Sequence, residues 1–225
     1  MGLELYGEIE SLLGFEEERK RLHELFLRKL ASFAPQRVLD IGCGSGAFVR
    51  MGQEVGYEIE GIDLSARMVE RAKSKGVSCR RVDLCDIEEK FDAAVAIFDV
   101  LNYIPPKKLS AFFGCVRKVL RPGGVFLADL NTLYGFEEVA QGALWIDRED
   151  RFVAVDAEFD GERLLTSIVY FEKDDQRYRK SVDNIVQFYH DPNGLRFEGM
   201  RLLWMEPLAL FGKRPDKVLV AFEKE

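Results

Sequence analysis

The residues best suited to chemistry lie together in one short run, Val38-Leu39-Asp40-Ile41-Gly42-Cys43-Gly44-Ser45-Gly46, where an apolar β-type segment ends in alternating glycines. Glycine lets the backbone turn sharply and approach a ligand with no Cβ in the way. A helix starting just beyond presents its unpaired N–H groups to whatever lies above the turn. A nucleotide-type ligand is the expectation. The spacing Gly42-x-Gly44-x-x-Ala47 also satisfies the dinucleotide fingerprint, so a nicotinamide or flavin oxidoreductase has to be weighed. Asp40 discriminates: a carboxylate at the tip of the first strand repels a pyrophosphate and attracts the ammonium of an amino acid moiety.

Three further acids or aromatics follow at strand ends. Asp63 closes the run Ile59-Glu60-Gly61-Ile62-Asp63-Leu64-Ser65, 19 positions after Gly44, where a carboxylate can accept both hydroxyls of a ribose. Ser65 is placed to cap the helix that follows. Asp83, in Arg81-Val82-Asp83-Leu84, would lie at an adenine edge if the ribose sits on Asp63. Phe98-Asp99-Val100-Leu101-Asn102-Tyr103 brings aromatic and amide groups to the carboxyl edge of a sheet, where open α/β folds place ligands. S-adenosylmethionine carries both the ammonium that suits Asp40 and the ribose that suits Asp63.

The elements needed to position these residues are legible in the periodicity. Short apolar runs at Arg37–Ile41, Tyr57–Ile62, Val77–Val82, Phe91–Ile97 and Gly124–Asn131 alternate with helical spacing at Gly14–Phe33, Ala47–Val55, Ala66–Lys75 and Lys107–Leu120. That alternation predicts parallel strands joined by right-handed crossovers, a doubly wound α/β sheet with helices on both faces. Past Asn131 the rhythm changes. Phe152–Phe159, Leu164–Phe171 and Tyr178–His190 read as strands joined by hairpin chemistry at Asp160-Gly161 and Lys173-Asp174-Asp175, an antiparallel β-insert after the fifth strand. Phe197–Met205 and Lys217–Phe222 supply two more strands. The expected organisation is a single domain over residues 1–225. It comprises N-terminal helices in 1–35, a cofactor-binding core in 36–131, the insert at about 140–190 and a terminal strand pair at about 195–225.

The ordered set Asp40-x-Gly42-x-Gly44-x-Gly46, Asp63-Leu64-Ser65 with Met68, Asp83-Leu84 and Leu120-Arg121-Pro122-Gly123-Gly124 resembles a class I S-adenosylmethionine-dependent methyltransferase over roughly residues 20–131. The resemblance implies a Rossmann-like, mostly parallel seven-stranded sheet. It also implies that Asp40, Gly42, Cys43, Gly44 and Gly46 hold the methionine part of the cofactor and Asp63 its ribose. Leu64 and Met68 would lie on the adenine face, Asp83 and Leu84 at the adenine edge, and Phe98 and Asp99 at the sulfonium end. Phe98-Asp99-Val100-Leu101-Asn102-Tyr103-Ile104 and the β-insert are similar to the small-molecule branch of that family. The Asn/Asp-Pro-Pro-Tyr/Phe tetrapeptide of amino-methylating nucleic-acid enzymes is absent from the fourth strand, and no Pro-Cys nucleophile appears. Between the insert and Phe197 there is little room for the helix usual before the sixth strand.

Methyl transfer from a sulfonium is an in-line displacement with a neutral leaving group, so alignment matters more than covalent chemistry. Asp99, Tyr103 and His190 are the candidates for a base, His190 otherwise reading as an exposed turn residue. Asn102, Tyr103, Asn131 and Trp145 are candidates for contact with the acceptor. The insert is expected to bring Tyr134, Trp145, Tyr170, Tyr178, Tyr189 and Trp204 toward the cleft.

Composition sets limits on partners. With 32 Lys+Arg against 39 Asp+Glu the 225-residue chain has a net charge of −7, which disfavours a polyanion partner and favours a neutral or cationic small acceptor. No apolar run is long enough to span a membrane, and the start carries three glutamates and no basic region, so a cytoplasmic monomer or homodimer is expected. Cys43, Cys79, Cys85 and Cys115 form no C-x-x-C pair and only two His accompany them. Neither a metal site nor a disulfide framework is expected, and the cysteines read as small buried hydrophobes. A non-catalytic cofactor-binding module and an RNA or protein methyltransferase remain the other readings of the same residues.

Overall fold

The computed structural model describes residues 3–225; the first two residues of the N-terminal helical region expected over 1–35 lie outside it. Two helices open the chain, α1 (Leu3–Ile9) and α2 (Glu16–Ala31). The second carries Glu16, Glu17 and Glu18 in its first turn and Arg28 and Lys29 in its last, the arrangement that complements the helix dipole. Then come β1 (Arg37–Ile41), α3 (Ala47–Glu54), β2 (Glu58–Asp63), α4 (Ala66–Ser74), β3 (Cys79–Arg81), β4 (Phe91–Ala96), α5 (Pro106–Val119) and β5 (Leu120–Asn131). Ser65 caps α4, its Oγ accepting the N–H of Met68 at 3.2 Å. α5 opens with Pro106 in its first turn, where a missing N–H costs nothing.

The second part of the chain contains β6 (Gly142–Asp147), β7 (Arg151–Phe159), β8 (Arg163–Asp174), β9 (Arg177–Phe188), β10 (Met200–Leu208) and β11 (Lys217–Lys224). Seven strands form one sheet in the order β10-β11-β5-β4-β1-β2-β3, and the other four form an antiparallel meander, β6-β7-β8-β9. In the large sheet β3, β2, β1, β4 and β5 run parallel, and β11 enters antiparallel to both β5 and β10. β1 and β4 are buried almost throughout, as strands covered on both faces must be. One apolar cluster, with Phe91, Phe113, Phe126 and Phe222, fills one face; another, with Leu22, Phe26, Val49 and Val69, fills the other. Successive strands depart in opposite directions from β1 and β4, and the crevice between their carboxyl ends is the topological switch point.

Several sequence expectations need correction. The insert has four strands, not three: Gly142–Asp147 pairs along β7, from Gly142 opposite Ala157 to Asp147 opposite Phe152, although its own residues carry little strand alternation. β5 begins at Leu120, four residues earlier than expected. β9 stops at Phe188, and the chain then turns through a single 3-10 turn, Pro192–Gly194, capped by Asp191. β10 begins at Met200, because Phe197 leaves the strand to stack on Phe113 at a ring separation of 3.5 Å. The cysteines are not all buried hydrophobes: Cys85 and Cys115 are joined in a disulfide. Thirty residues separate them, too far for a local pattern, and it is the packing of α5 over the turn after β3 that brings their Cα atoms to 4.9 Å.

The first helix is the element that binds the two sheets. Leu5 and Ile9 pack with Val153, Ile168, Tyr170 and Ile185 of the meander. On its other side Glu4 accepts the N–H of Ala66 at 3.1 Å, Arg71 donates to the carbonyl of Gly7, and Arg67 pairs with Glu8. α1 therefore lies across α4 and against β8 and β9.

Candidate active site at the carboxyl edge of the sheet

The turn after β1 is fixed before any ligand is considered. The N–H groups of Gly42 and Cys43 both donate to the carbonyl of Ile62, at 2.8 and 3.0 Å, so the turn hangs on the neighbouring strand. Gly42 and Gly44 are both left-handed, with φ of +74° and +53°. A Cβ on Gly42 would stand 2.8 Å from Val100, whereas one on Gly44 would meet nothing within 4 Å. The first glycine is required by the packed turn, and the second by an open space above it. That space is the concavity a ligand backbone needs.

Two carboxyls face this turn in different states. Asp63 spans it: one oxygen accepts the Gly44 N–H at 2.9 Å and the other the Ser65 N–H at 2.8 Å. Burial raises its pKa, and the two N–H groups oppose that. Each carboxylate oxygen retains a second lone pair, enough for two hydroxyl donors. Asp40 is 3% exposed, and among the described residues no donor is hydrogen-bonded to its carboxyl. Burial, assisted by the charge of Asp63, pushes it up to about 8. A buried acid without a donor is costly unless a cation completes it.

Across the switch point, β4 ends in two consecutive non-glycine residues in the left-handed region, Phe98 (φ 66°) and Asp99 (φ 64°). Such backbone persists only where its surroundings over-determine it. Here the Asp129 carboxylate accepts both N–H groups, Phe98 at 2.7 Å and Asp99 at 3.2 Å. Asp129 is held in turn by Lys217, which is 1% exposed. Its Nζ lies 2.9 Å from Asp129 and 3.1 Å from Asn131 Oδ1, and it also pairs with Asp99. Burial alone would lower the lysine; the Asp129 and Asp99 charges outweigh it and hold its pKa raised. Burial raises Asp129 against the pull of that same lysine.

The remaining candidates are placed as follows. Cys43 is buried in the turn, its Sγ 2.8 Å from that of Cys79. Gly46 follows as the left-handed N-cap of α3. Leu64 is 50% exposed and Met68 is buried under Gly7 of α1. Asp83 caps the turn after β3 with one oxygen on the Cys85 N–H at 2.8 Å, and Leu84 is buried beside it. Asn102 is fully buried, accepting from the Asn131 N–H at 3.0 Å and donating to the Phe188 carbonyl at 2.8 Å. Both ends of its amide are thus engaged in tying the meander to the large sheet. Tyr103 packs with Tyr6 of α1, and burial raises both phenols, with the charges of Glu10 and Asp99 adding to it.

Other expectations do not hold in space. His190 is not an exposed turn residue: it is buried, with Nε2 3.1 and 3.0 Å from the carbonyls of Leu101 and Ile104, so that nitrogen carries a proton and donates to both. Burial lowers its pKa. The six aromatic residues do not gather at one cleft. Trp145 is 73% exposed on β6, the outer strand of the meander. Trp204 lies under Lys29, Tyr134 under Arg214, Tyr170 packs against α1, Tyr178 is exposed, and Tyr189 packs on Phe136. Sequence reasoning also missed Asp129 and Lys217. Their only trace was a lysine heading the apolar run Val218-Leu219-Val220, which reads as a solvated strand end.

The strand order with β11 antiparallel at its place, the glycine turn after β1 and the acid ending β2 define the class I methyltransferase fold. Residues 38–124 match the family described as a methyltransferase domain. YqeM of Bacillus subtilis, whose name describes it provisionally as a methyltransferase, is 30% identical over 59% of this chain and 57% of its own length. A carboxy-S-adenosyl-L-methionine synthase of Aeromonas hydrophila is 30% identical over 49% of each chain. The chain thus spans about half the length of the curated relatives it matches. In three dimensions it is similar to an S-adenosylmethionine-dependent methyltransferase of Clostridium acetobutylicum, with a TM-score of 0.79 at 19% identity over 98% of this chain and 99% of the other. It is also similar to the amino pentose methyltransferase CalS10 of Micromonospora echinaspora, with a TM-score of 0.70 at 19% identity over 98% and 97%. Among the described residues no helix is long and apolar enough to cross a membrane.

Because the folded-state pKa of Asp40 is raised, the protonated form favours folding, and stability is lost as pH rises from the ordinary carboxylate range toward about 8. Asp40→Asn removes that loss, so its melting temperature should exceed that of the parent by about 3 °C or more at pH 8.5 and converge with it near pH 4, read by thermal melts across that range. Lys217→Met should cost about 3–5 kcal/mol in urea melts by stranding the fully buried Asp129 carboxylate and leaving the half-buried Asp99 unpaired. Lys217→Met combined with Asp129→Asn should cost less than the sum of the two single changes.

Proposed function

We propose that the protein is an S-adenosylmethionine-dependent methyltransferase that moves a methyl group to an N or O atom of a small-molecule acceptor. The observation that carries the reading is the buried, donor-free carboxyl of Asp40 beneath an open glycine turn, with Asp63 spanning the same turn. A pyrophosphate has no use for that acid, whereas the ammonium of the cofactor completes it. The cofactor, when bound, supplies an electrophilic methyl on a sulfonium whose departure is neutral.

The chain's own groups then have defined tasks. Asp40 accepts the ammonium, while Gly42, Cys43, Gly44 and Gly46 keep side chains out of the way of the methionine part. The two free lone pairs of Asp63 take the ribose hydroxyls, with Leu64 and Met68 against the adenine. Asp83 offers its remaining oxygen at the adenine edge, beside Leu84. Phe98 and Asp99, held left-handed by Asp129, border the methyl. Alignment of this kind supplies the larger part of the rate.

On the acceptor side Asn102 and Asn131 act as positioning residues, since their amides are engaged within the protein. Tyr103, packed with Tyr6 of α1 a few residues after Asp99, is a candidate to contact the acceptor. Trp145 reaches an acceptor only if that molecule extends along the meander. His190 is held by Nε2 between the carbonyls of Leu101 and Ile104, which gives it a positioning role between the meander and the turn after β4. The solved relatives include a sugar N-methyltransferase and an amino pentose methyltransferase, which supports a small polar acceptor over nucleic acid. The reading is of a cytoplasmic monomer or homodimer working without a metal.

Isothermal titration of the protein with S-adenosylhomocysteine should give micromolar-range binding, and Asp63→Ala should weaken it by about tenfold to a hundredfold, as loss of a charged hydrogen-bond acceptor for two hydroxyls requires. Unchanged affinity in Asp63→Ala would remove the ribose assignment.

A further inference from the structure

The disulfide ties α5 to the turn that Asp83 caps after β3. Cys85 belongs to the three-residue turn Leu84–Asp86, which Asp83 caps through the Cys85 N–H. Leu84 and Ile87 on either side of it are buried in the core, and Cys85 itself is exposed. Cys115 is half-buried on α5, which is rooted in the same core by Leu109, Phe113, Val116 and Val119. Lys118, three residues further along that helix, donates to the Cys85 carbonyl at 2.8 Å. The turn that carries Asp83 is therefore tied to a rigid helix by one covalent bond at the surface and by one exposed lysine contact. Exposed disulfides are the ones small thiols reach. The other cysteine pair, Cys43 and Cys79, is buried and unlinked, and so is sheltered from the same reagents.

We propose that Cys85 and Cys115 form a thiol–disulfide modification site, reactive toward low-molecular-weight thiols and disulfides, whose oxidation state sets the affinity of the adenine end of the cofactor site. It rests on the cofactor reading above. Oxidation proceeds by attack of the exposed Cys85 thiolate on a small disulfide, forming a mixed disulfide and releasing one thiolate. Cys115 then attacks the Cys85 sulfur, the protein disulfide forms and the second thiolate leaves. The two cysteines lose two electrons, the small disulfide gains them, and the two cysteine protons finish on the two small thiols. Reduction is the reverse.

The coupling is entropic. Leu84 and Ile87 anchor the turn in either state, and the bond adds a restraint on its exposed part, so the free oxygen of Asp83 costs the ligand less to order when the bond is in place. Linkage is reciprocal, so a ligand that prefers the tied turn must make the disulfide harder to reduce by the same factor.

The test uses the full chain, equilibrated either with oxidised glutathione or with dithiothreitol, and titrated with S-adenosylhomocysteine. Reduction should weaken binding by about fivefold or more. Cys85→Ser and Cys115→Ser should each bind like the reduced protein and ignore the reagent. In a glutathione redox titration read by peptide mass mapping, saturating S-adenosylhomocysteine should shift the midpoint of the Cys85–Cys115 bond toward more reducing ratios. Equal affinities in the two states, or Cys85 and Cys115 found unlinked under oxidised glutathione, overturn the proposal and leave the cofactor reading intact. Absence of binding in both states overturns both.

Discussion

One buried ammonium holds the reacting end of this protein in shape. Lys217 enters on β11, and the antiparallel register that sets it opposite Asn131 also sets Leu219 opposite Asp129. From there its Nζ reaches Asp129, Asn131 and Asp99. Asp129 transmits the constraint to the backbone by taking the N–H groups of Phe98 and Asp99, whose left-handed conformation would otherwise relax. A charge taken out of water this completely is tolerable only with such partners, which is why the three elements cannot be rearranged independently. The last strand of the chain thereby controls the exit of the fourth.

The other side of the crevice is organised by backbone rather than by charge. The turn after β1 hangs on the carbonyl of Ile62 and is spanned by Asp63, so β1 and β2 present their acids at a fixed spacing. Asp40 differs from Asp63 because it is more deeply buried and, among the described residues, no donor is hydrogen-bonded to its carboxyl, whereas Asp63 takes the N–H groups of Gly44 and Ser65. Two aspartates on adjacent strands thus acquire different chemistry from their surroundings, one an acceptor engaged by two N–H groups and the other a buried acid. α1 lies across α4 and is joined to the meander through Leu5 and Ile9.

What could be read from the chain follows the range of the interaction. The glycine turn, Asp63 at 19 residues' distance, the Ser65 cap and the Pro106 helix start are local, and each residue type there does the same thing in any context. Longer-range features were illegible for corresponding reasons. A lysine before an apolar run looks solvated until β5 and β4 are placed around it. A histidine beside Asp191-Pro192 looks like a turn until the carbonyls of Leu101 and Ile104 close on it. Cysteines 30 residues apart show no pairing until α5 packs over the turn after β3.

The sequence by itself determined the doubly wound sheet, the glycine turn and the acids at the ends of its first strands, and the chemical character of the groups there. All of these rest on period, turn chemistry and residue type within short windows. Only the tertiary structure decided that Asp40 is a buried acid, that Asp129 and Lys217 belong to the site, that the insert's aromatic residues are dispersed and that Cys85 is linked to Cys115. Burial and partner choice are properties of what surrounds a side chain, and in a parallel sheet those surroundings come from strands far apart in the chain.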